Sequence, residues 1–155
     1  MDVKVKIRRY DPDIESPVSY WEEFSLAVPE TATVLDALIQ IREDMDGTLS
    51  LRCSCRSAIC GSCAMRVNGH AVLACQTKAS ESLDSEGIIT VEPAGVMPVM
   101  KDLVVNFDPF WEKIRTVEPY LQPQGPEPEG EYIASNESML HLSGVTACIM
   151  CGACV

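Results

Sequence analysis

Eight cysteines in 155 residues are the first chemistry this chain offers, and their spacing narrows what that chemistry is. Cys55, Cys60 and Cys63 read C-x4-C-x2-C, and Cys75 follows after eleven further residues. The first three have the plant-type spacing by which thiolates hold a [2Fe–2S] cluster. Thiolate is the soft ligand such clusters use, and one small loop must bring several together. Ala58, Gly61 and Ser62 leave that loop room to wrap a cluster, and Gly61 carries no Cβ to obstruct it. The expectation is that Cys75 reaches the site from a hairpin, held by the sheet. Cys148-x2-Cys151-x2-Cys154 has the first three positions of the [4Fe–4S] run C-x2-C-x2-C-x3-C-P. The sequence stops one residue into the x3, so the expectation is a longer protein whose fourth ligand lies beyond Val155.

Other readings of these residues are weaker. Cys60/Cys63 and Cys148/Cys151 each have the spacing of a zinc half-site. Zinc leaves Cys55 and Cys75 unexplained, and the two half-sites are far apart in the chain. Cys53 exceeds the four-ligand count and is expected to be a bystander. His70 and His141 are expected to be surface or hydrogen-bonded side chains. The N-terminus MDVKVKIRRY lacks the apolar core of a secretory signal, so a reducing compartment is expected, where thiols serve metals more often than disulfides. No run approaches the roughly 18 apolar residues of a membrane-spanning helix.

Charge bears on the same loop. The chain has 12 basic and 23 acidic residues, a net charge of −11, which disfavours direct contact with nucleic acid or anionic lipid. Yet no acidic residue lies between Asp46 and Glu81, where Arg52, Arg56, Arg66 and Lys78 fall. A basic surround would offset the charge of a thiolate-bound cluster and raise its reduction potential.

The elements that must position these residues follow from periodicity. Val3, Val5 and Ile7 alternate with Lys4, Lys6 and Arg8, which predicts a half-buried strand. Phe24, Leu26 and Val28 predict its hairpin partner. Thr33 with Asp36 has the form of a capping box, and Val34, Leu38, Ile41 and Met45 recur at helical spacing until Gly47. Ala64–Val67 and Ala71–Cys75 flank Asn68-Gly69, the strongest short hairpin signal. Ile88, Ile89 and Val91 suggest one more strand. One helix on a small mixed sheet is an α+β arrangement, and a β-grasp if the last strand pairs with the first.

Beyond it, Asp108-Pro109 opens a short helix whose Phe107, Phe110, Trp111 and Ile114 are expected to pack on the first domain. The Pro/Gly/Glu-rich stretch from Pro119 to Gly130 reads as a linker. From Ser135, the residues Met139, Leu140, Leu142, Val145 and Ile149 suit a helix leading into the last cysteines. The domain expectation is therefore a [2Fe–2S] ferredoxin-type domain over 1–106, a connecting helix and linker over 107–134, and the start of an α-helical [4Fe–4S] domain over 135–155.

With both cysteine runs in view, the chain resembles the iron–sulfur subunits of succinate dehydrogenase and fumarate reductase. The resemblance rests on Ser54-Cys55-Arg56, Ile59-Cys60-Gly61-Ser62-Cys63, Val67-Asn68-Gly69, Leu73-Ala74-Cys75, Lys101-Asp102-Leu103-Val104-Val105, Glu118-Pro119-Tyr120-Leu121 and the terminal cysteines. It implies a β-grasp [2Fe–2S] domain followed by an α-helical ferredoxin domain. It also implies three clusters relaying electrons from an FAD-bearing flavoprotein subunit to quinone at a membrane-anchor subunit, within the tricarboxylic acid cycle and respiratory chain. By resemblance, Cys55, Cys60, Cys63 and Cys75 hold the [2Fe–2S] centre near the flavin. Cys148, Cys151 and Cys154 supply three [4Fe–4S] ligands, and the ligands of a [3Fe–4S] centre would follow Val155. The implied location is peripheral, on the cytoplasmic face of the plasma membrane or the matrix face of the mitochondrial inner membrane. Cys63 stands where some members have Asp, and Cys53 is outside the pattern. The alternatives are the fumarate-reducing enzyme, the electron-transfer arm of another flavoenzyme or a soluble ferredoxin, and a zinc-binding interaction module.

Overall fold

In the computed structural model, which describes residues 1–120, 122 and 125–154, the alternating N-terminal residues form β1 (Asp2–Arg9) with Val3, Val5 and Ile7 buried. Its antiparallel partner is β2 (Tyr20–Ala27), in register from Asp2 opposite Ala27 to Arg9 opposite Tyr20. Phe24 and Leu26 point to the core from β2, and Val28 continues the apolar face just past its end.

Helix α1 (Val34–Gln40) starts as the capping box predicts: Thr33 Oγ1 accepts from the Asp36 N–H, and the Asp36 carboxylate accepts from the Thr33 N–H. Val34, Leu38 and Ile41 are buried, but Met45 is 49% exposed, which corrects the expected face. The helix widens into a π turn over Ile41–Met45, closed by the Asp46 N–H donating to the Ile41 carbonyl at 2.8 Å. An i to i+5 bond adds a residue to the turn and rotates Met45 away from the core.

The Asn-Gly hairpin forms between β3 (Ala64–Val67) and β4 (His70–Leu73). Asn68 and Gly69 both have positive φ, 50° and 79°, as a type I′ turn requires. The Asn68 side chain also donates to the Ser82 carbonyl at 2.6 Å and accepts from the Thr90 N–H at 2.8 Å, fastening the turn to the next strand. That strand, β5 (Ile88–Pro93), runs parallel to β1 and antiparallel to β3. The sheet order is β2-β1-β5-β3-β4, so the last strand of the fold lies against the first. The β-grasp condition set by the sequence is met. One apolar cluster joins the inner sheet face to Val34, Leu35, Ala37, Leu38, Ile39 and Ile41.

A second, small hairpin follows, β6 (Val99–Lys101) with β7 (Val104–Val105), turning at Asp102 with φ 45°. Helix α2 (Asp108–Thr116) carries Pro109 in its first turn, where the missing N–H costs nothing. Its Phe110 is buried with Met97 and Val105 in a separate apolar cluster that Phe107 and Ile114 flank. Three positions of the Pro/Gly/Glu stretch, Leu121, Pro123 and Gln124, lie outside the described residues, as does Val155. Helix α3 (Asn136–Thr146) begins at a Ser135 cap, and none of its residues is buried. Among the described residues no helix is long and apolar enough to cross a membrane.

Candidate iron–sulfur site

The loop carrying Cys55, Cys60 and Cys63 leaves the π turn and enters β3, so its two ends are fixed by the core. Between them the backbone is strained. Arg56 and Ala58 take left-handed conformations, φ 54° and 57°, where residues with a Cβ lose roughly 1–2 kcal/mol. The strain turns N–H groups inward. The Ser57 and Cys60 N–H groups point at Cys55 Sγ and the Ala58 N–H at Cys75 Sγ, each at 3.4 Å. Alternating conformations of this kind make a backbone nest, a concavity of donors suited to an anion. Sequence reasoning credited Gly61 with this freedom, and no feature of composition marks Arg56 or Ala58 for it.

The four thiols fall into two neighbouring pairs: Cys55 acts on the Cys60 thiol, and Cys75 on the Cys63 thiol. Among the described residues no three His, Cys, Asp or Glu side chains meet closely enough to hold one metal ion. Four thiols at this spacing, neighbouring two by two, suit a two-iron group with two thiolates per iron. The pairs differ in setting. Cys63 is buried, and desolvation pushes its thiol up to about 11. Cys60 is exposed, and hydrogen bonding, first from the Ser62 hydroxyl at 3.1 Å, lowers its thiol to about 6. Cys60 is thus poised as a thiolate near neutrality, while Cys63 must release a proton on binding metal.

Cys75 reaches the site differently from expectation. Strand β4 ends at Leu73, and Cys75 lies in the turn beyond it. The start of α1 holds that turn: the Leu35 N–H donates to the Ala74 carbonyl at 3.1 Å and the Val34 N–H to the Thr77 carbonyl at 2.8 Å. First-turn helix N–H groups have no partner within the helix, and here the ligand turn supplies acceptors. The Ala74 N–H also donates across the hairpin to the Cys63 carbonyl at 3.1 Å, so helix α1 and the end of the hairpin together fix Cys75.

The basic surround is smaller than the sequence implied. Lys78 is paired with Glu81 at 2.9 Å, which raises its pKa, and Arg66 stands opposite Glu92 in register. Arg52 and Arg56 are the cations on the loop itself, and the Arg52 guanidinium lies 5.4 Å from the centre of the Phe107 ring. Cys53 is half-buried against the main core. His70 on β4 and His141 on α3 are exposed.

The second cysteine run follows α3 without regular structure. Cys148 and Cys154 are exposed, Cys151 is half-buried, and the Met150 N–H points at Cys148 Sγ at 3.4 Å. These three are not gathered into a single-ion site. Met150 and Gly152 have φ 57° and 70°, so the left-handed turns of the first loop recur here.

A β-grasp sheet presenting paired thiols in a nest of backbone donors defines a [2Fe–2S] ferredoxin-type module. Residues 4–112 match the family model of the 2Fe-2S iron-sulfur cluster binding domain, and the chain belongs to that family. It is 39% identical over 154 residues to the succinate dehydrogenase iron-sulfur subunit of Paracoccus denitrificans, covering 97% of this chain and 57% of that one. Among solved structures it is similar to a chain of the Mycobacterium smegmatis Sdh1 complex in the apo form. The TM-score is 0.86 at 28% identity, over 99% of this chain and 62% of the other. The chain spans about three fifths of the length of these relatives.

Proposed function

We propose that this chain is the electron-relay subunit of a succinate:quinone oxidoreductase, and that Cys55, Cys60, Cys63 and Cys75 hold its [2Fe–2S] centre. The observation that carries this is the set of backbone N–H groups aimed at sulfur, from Ser57 and Cys60 to Cys55 Sγ and from Ala58 to Cys75 Sγ, on a strained loop of C-x4-C-x2-C spacing. Cys55 with Cys60 would serve one iron and Cys63 with Cys75 the other. When bound, the group takes up and gives back one electron. The chain's residues tune that exchange. N–H groups from Ser57, Ala58 and Cys60 and the Ser62 hydroxyl stabilise charge on sulfur, and Arg52 and Arg56 add positive potential.

In this reading Cys148, Cys151 and Cys154 supply three thiolates to a [4Fe–4S] centre. The remaining ligands, and those of a [3Fe–4S] centre, come from outside these residues. The face around Cys55 and Cys60 is the side for an FAD-bearing flavoprotein partner, because both thiols are exposed and Ile59 between them is 70% exposed. An apolar side chain left open beside a redox site is suited to a docked protein. A membrane-anchor subunit carrying the quinone would complete the assembly and place this chain peripherally at the membrane. The same relay serves succinate oxidation or fumarate reduction.

The test is to purify the assembly anaerobically and follow its EPR spectrum after adding succinate. The expected result is a [2Fe–2S] signal generated by succinate as well as by dithionite. A colourless, zinc-loaded protein would overturn the iron–sulfur assignment. A signal raised by dithionite alone would assign the chain to another flavoenzyme. Within the same assembly, Ser62→Ala removes a donor to sulfur and so destabilises the reduced, more negative state. Redox titration is expected to find the [2Fe–2S] potential lowered by tens of millivolts, on the order expected for one such hydrogen bond.

A further inference from the structure

The two cysteine runs meet through glycine. Gly61, between Cys60 and Ser62, is buried with φ 70°, and a Cβ there would lie 2.6 Å from Cys151 Cβ and 3.0 Å from Cys151 Cα. Those atoms belong to the main chain or sit directly on it, so no side-chain rotation relieves the collision. Gly152 repeats the arrangement from the other side. It is buried with φ 70°, and its Cβ would lie 2.9 Å from Met97 Cε and 3.1 Å from Phe107 Cε1. Cys60-Gly61 and Cys151-Gly152 are thus the same dipeptide with the same glycine conformation, but Gly61 is closed over by the second run itself and Gly152 by the side chains of Met97 and Phe107. A turn alone asks less of glycine. Gly69 and Gly87 have φ 79° and 76°, yet a Cβ at either would meet nothing within 4 Å.

We propose that the Gly61–Cys151 backbone contact is the joint that sets the separation of two iron–sulfur sites, with Gly61 and Gly152 as positioning residues for electron transfer between them. This rests on the reading that both cysteine runs hold clusters. In the step served, one electron leaves the reduced first site and arrives at the oxidised second. No bond is made or broken and no proton moves. Tunnelling falls exponentially with distance, so a contact with no side chain on the Gly61 side gives a shorter path than any residue bearing a Cβ would allow. Cys151 belongs to the second ligand run and abuts the residue after Cys60, so the joint and the ligands are one continuous backbone.

The experiment uses the complete assembly purified with its clusters and compares Gly61→Ala with Gly69→Ala, which has similar backbone strain but no collision. Two readouts are taken: amide exchange over residues 148–152, and microwave saturation of the [2Fe–2S] EPR signal with both centres reduced. In Gly61→Ala, exchange is expected to rise about tenfold or more and relaxation enhancement by the second centre to weaken. Gly69→Ala should match the parent protein in both. If Gly61→Ala fails to assemble its first centre, Gly152→Ala is read in the same two ways and is expected to shift both in the same direction but by less, because Met97 Cε can yield. Unchanged exchange and saturation in a variant with both centres present would overturn the proposal. A parent assembly with no second paramagnetic centre would instead overturn the two-cluster reading beneath it.

Discussion

Replacing Cys63 with serine is expected to abolish the [2Fe–2S] absorption and EPR signals, whereas Cys53→Ser keeps both. The two residues are ten apart and both touch the apolar interior, yet they differ in what surrounds the sulfur. Cys63 is 4% exposed, paired with Cys75, and held where β3 begins beside core residue Met65. Serine offers a hard oxygen on a shorter reach to iron, so it ligates only if the backbone moves toward the metal. Close packing denies that movement at Cys63. Cys55 is exposed on the strained loop, where the chain can follow, so Cys55→Ser is expected to retain a cluster with an altered EPR spectrum. Cys53 makes only apolar contacts with the core, and its serine variant should lose about 1 kcal/mol of stability for the polar group placed there. The check is the iron-to-protein ratio with EPR line shape across the three variants. Loss of the cluster in Cys53→Ser with retention in Cys55→Ser would shift the ligand register by two residues and sink the assignment.

What the sequence disclosed was what local chemistry determines. Alternation in β1, the Thr33/Asp36 capping box and the Asn68-Gly69 turn each act over a few residues, and each appears in the structure at its expected position. Met45 was misread because helical periodicity assumes an α-helix, and one π turn displaces everything after it. Cys75 was assigned to the sheet because an apolar run does not reveal its last paired residue. The β6–β7 hairpin went unread, since strands of three and two residues around a left-handed Asp102 carry no period. Lys78 is withdrawn from the basic surround by Glu81, which lies just outside the acid-free stretch. Lys101-Asp102-Leu103 was noticed only as part of a resemblance. Its physical role depends on Arg9, 93 residues earlier.

Asp102→Ala is the substitution expected to damage the fold most, by roughly 3–5 kcal/mol in chemical denaturation, because it strands three donors at about 1–3 kcal/mol each. Asp102 and Arg9 are 1% and 4% exposed, with Arg9 Nε donating to Asp102 Oδ1 at 2.9 Å. The same carboxylate accepts from the Tyr10 N–H at 3.1 Å and the Ser50 N–H at 2.8 Å. Alanine would leave the Arg9 Nε–H and two main-chain donors without partners, while Glu22, Asp46 and Thr48 keep the rest of the guanidinium, and would also hold a φ of 45° that aspartate tolerates better. Asp102→Asn keeps the shape and that tolerance but sets an N–H₂ against one of these donors, so its loss should be intermediate. Burial opposes the charge on Arg9, but the hydrogen bonds it donates to Asp102 and Asp46 more than offset that, and its pKa is pushed above the ordinary value. The cation therefore persists across the working pH range, and any pH dependence comes from the carboxylates. Thr48 first and Arg9 second hold Asp46 down at about 2 from an ordinary 3.8. A carboxyl lowered in the folded state stabilises it above the unfolded pKa, so this contribution is complete above about pH 4 and drains as pH falls toward 2. Arg9→Met should remove that part of the acid sensitivity while lowering stability at neutral pH. Asp46, Thr48 and Ser50 lead directly into Arg52 and the ligand loop, so Asp102→Ala is also expected to loosen the first turn of the cluster site. Faster amide exchange at Ser50 to Ser54, with iron content initially retained, is the measurement that separates this anchoring from direct ligation.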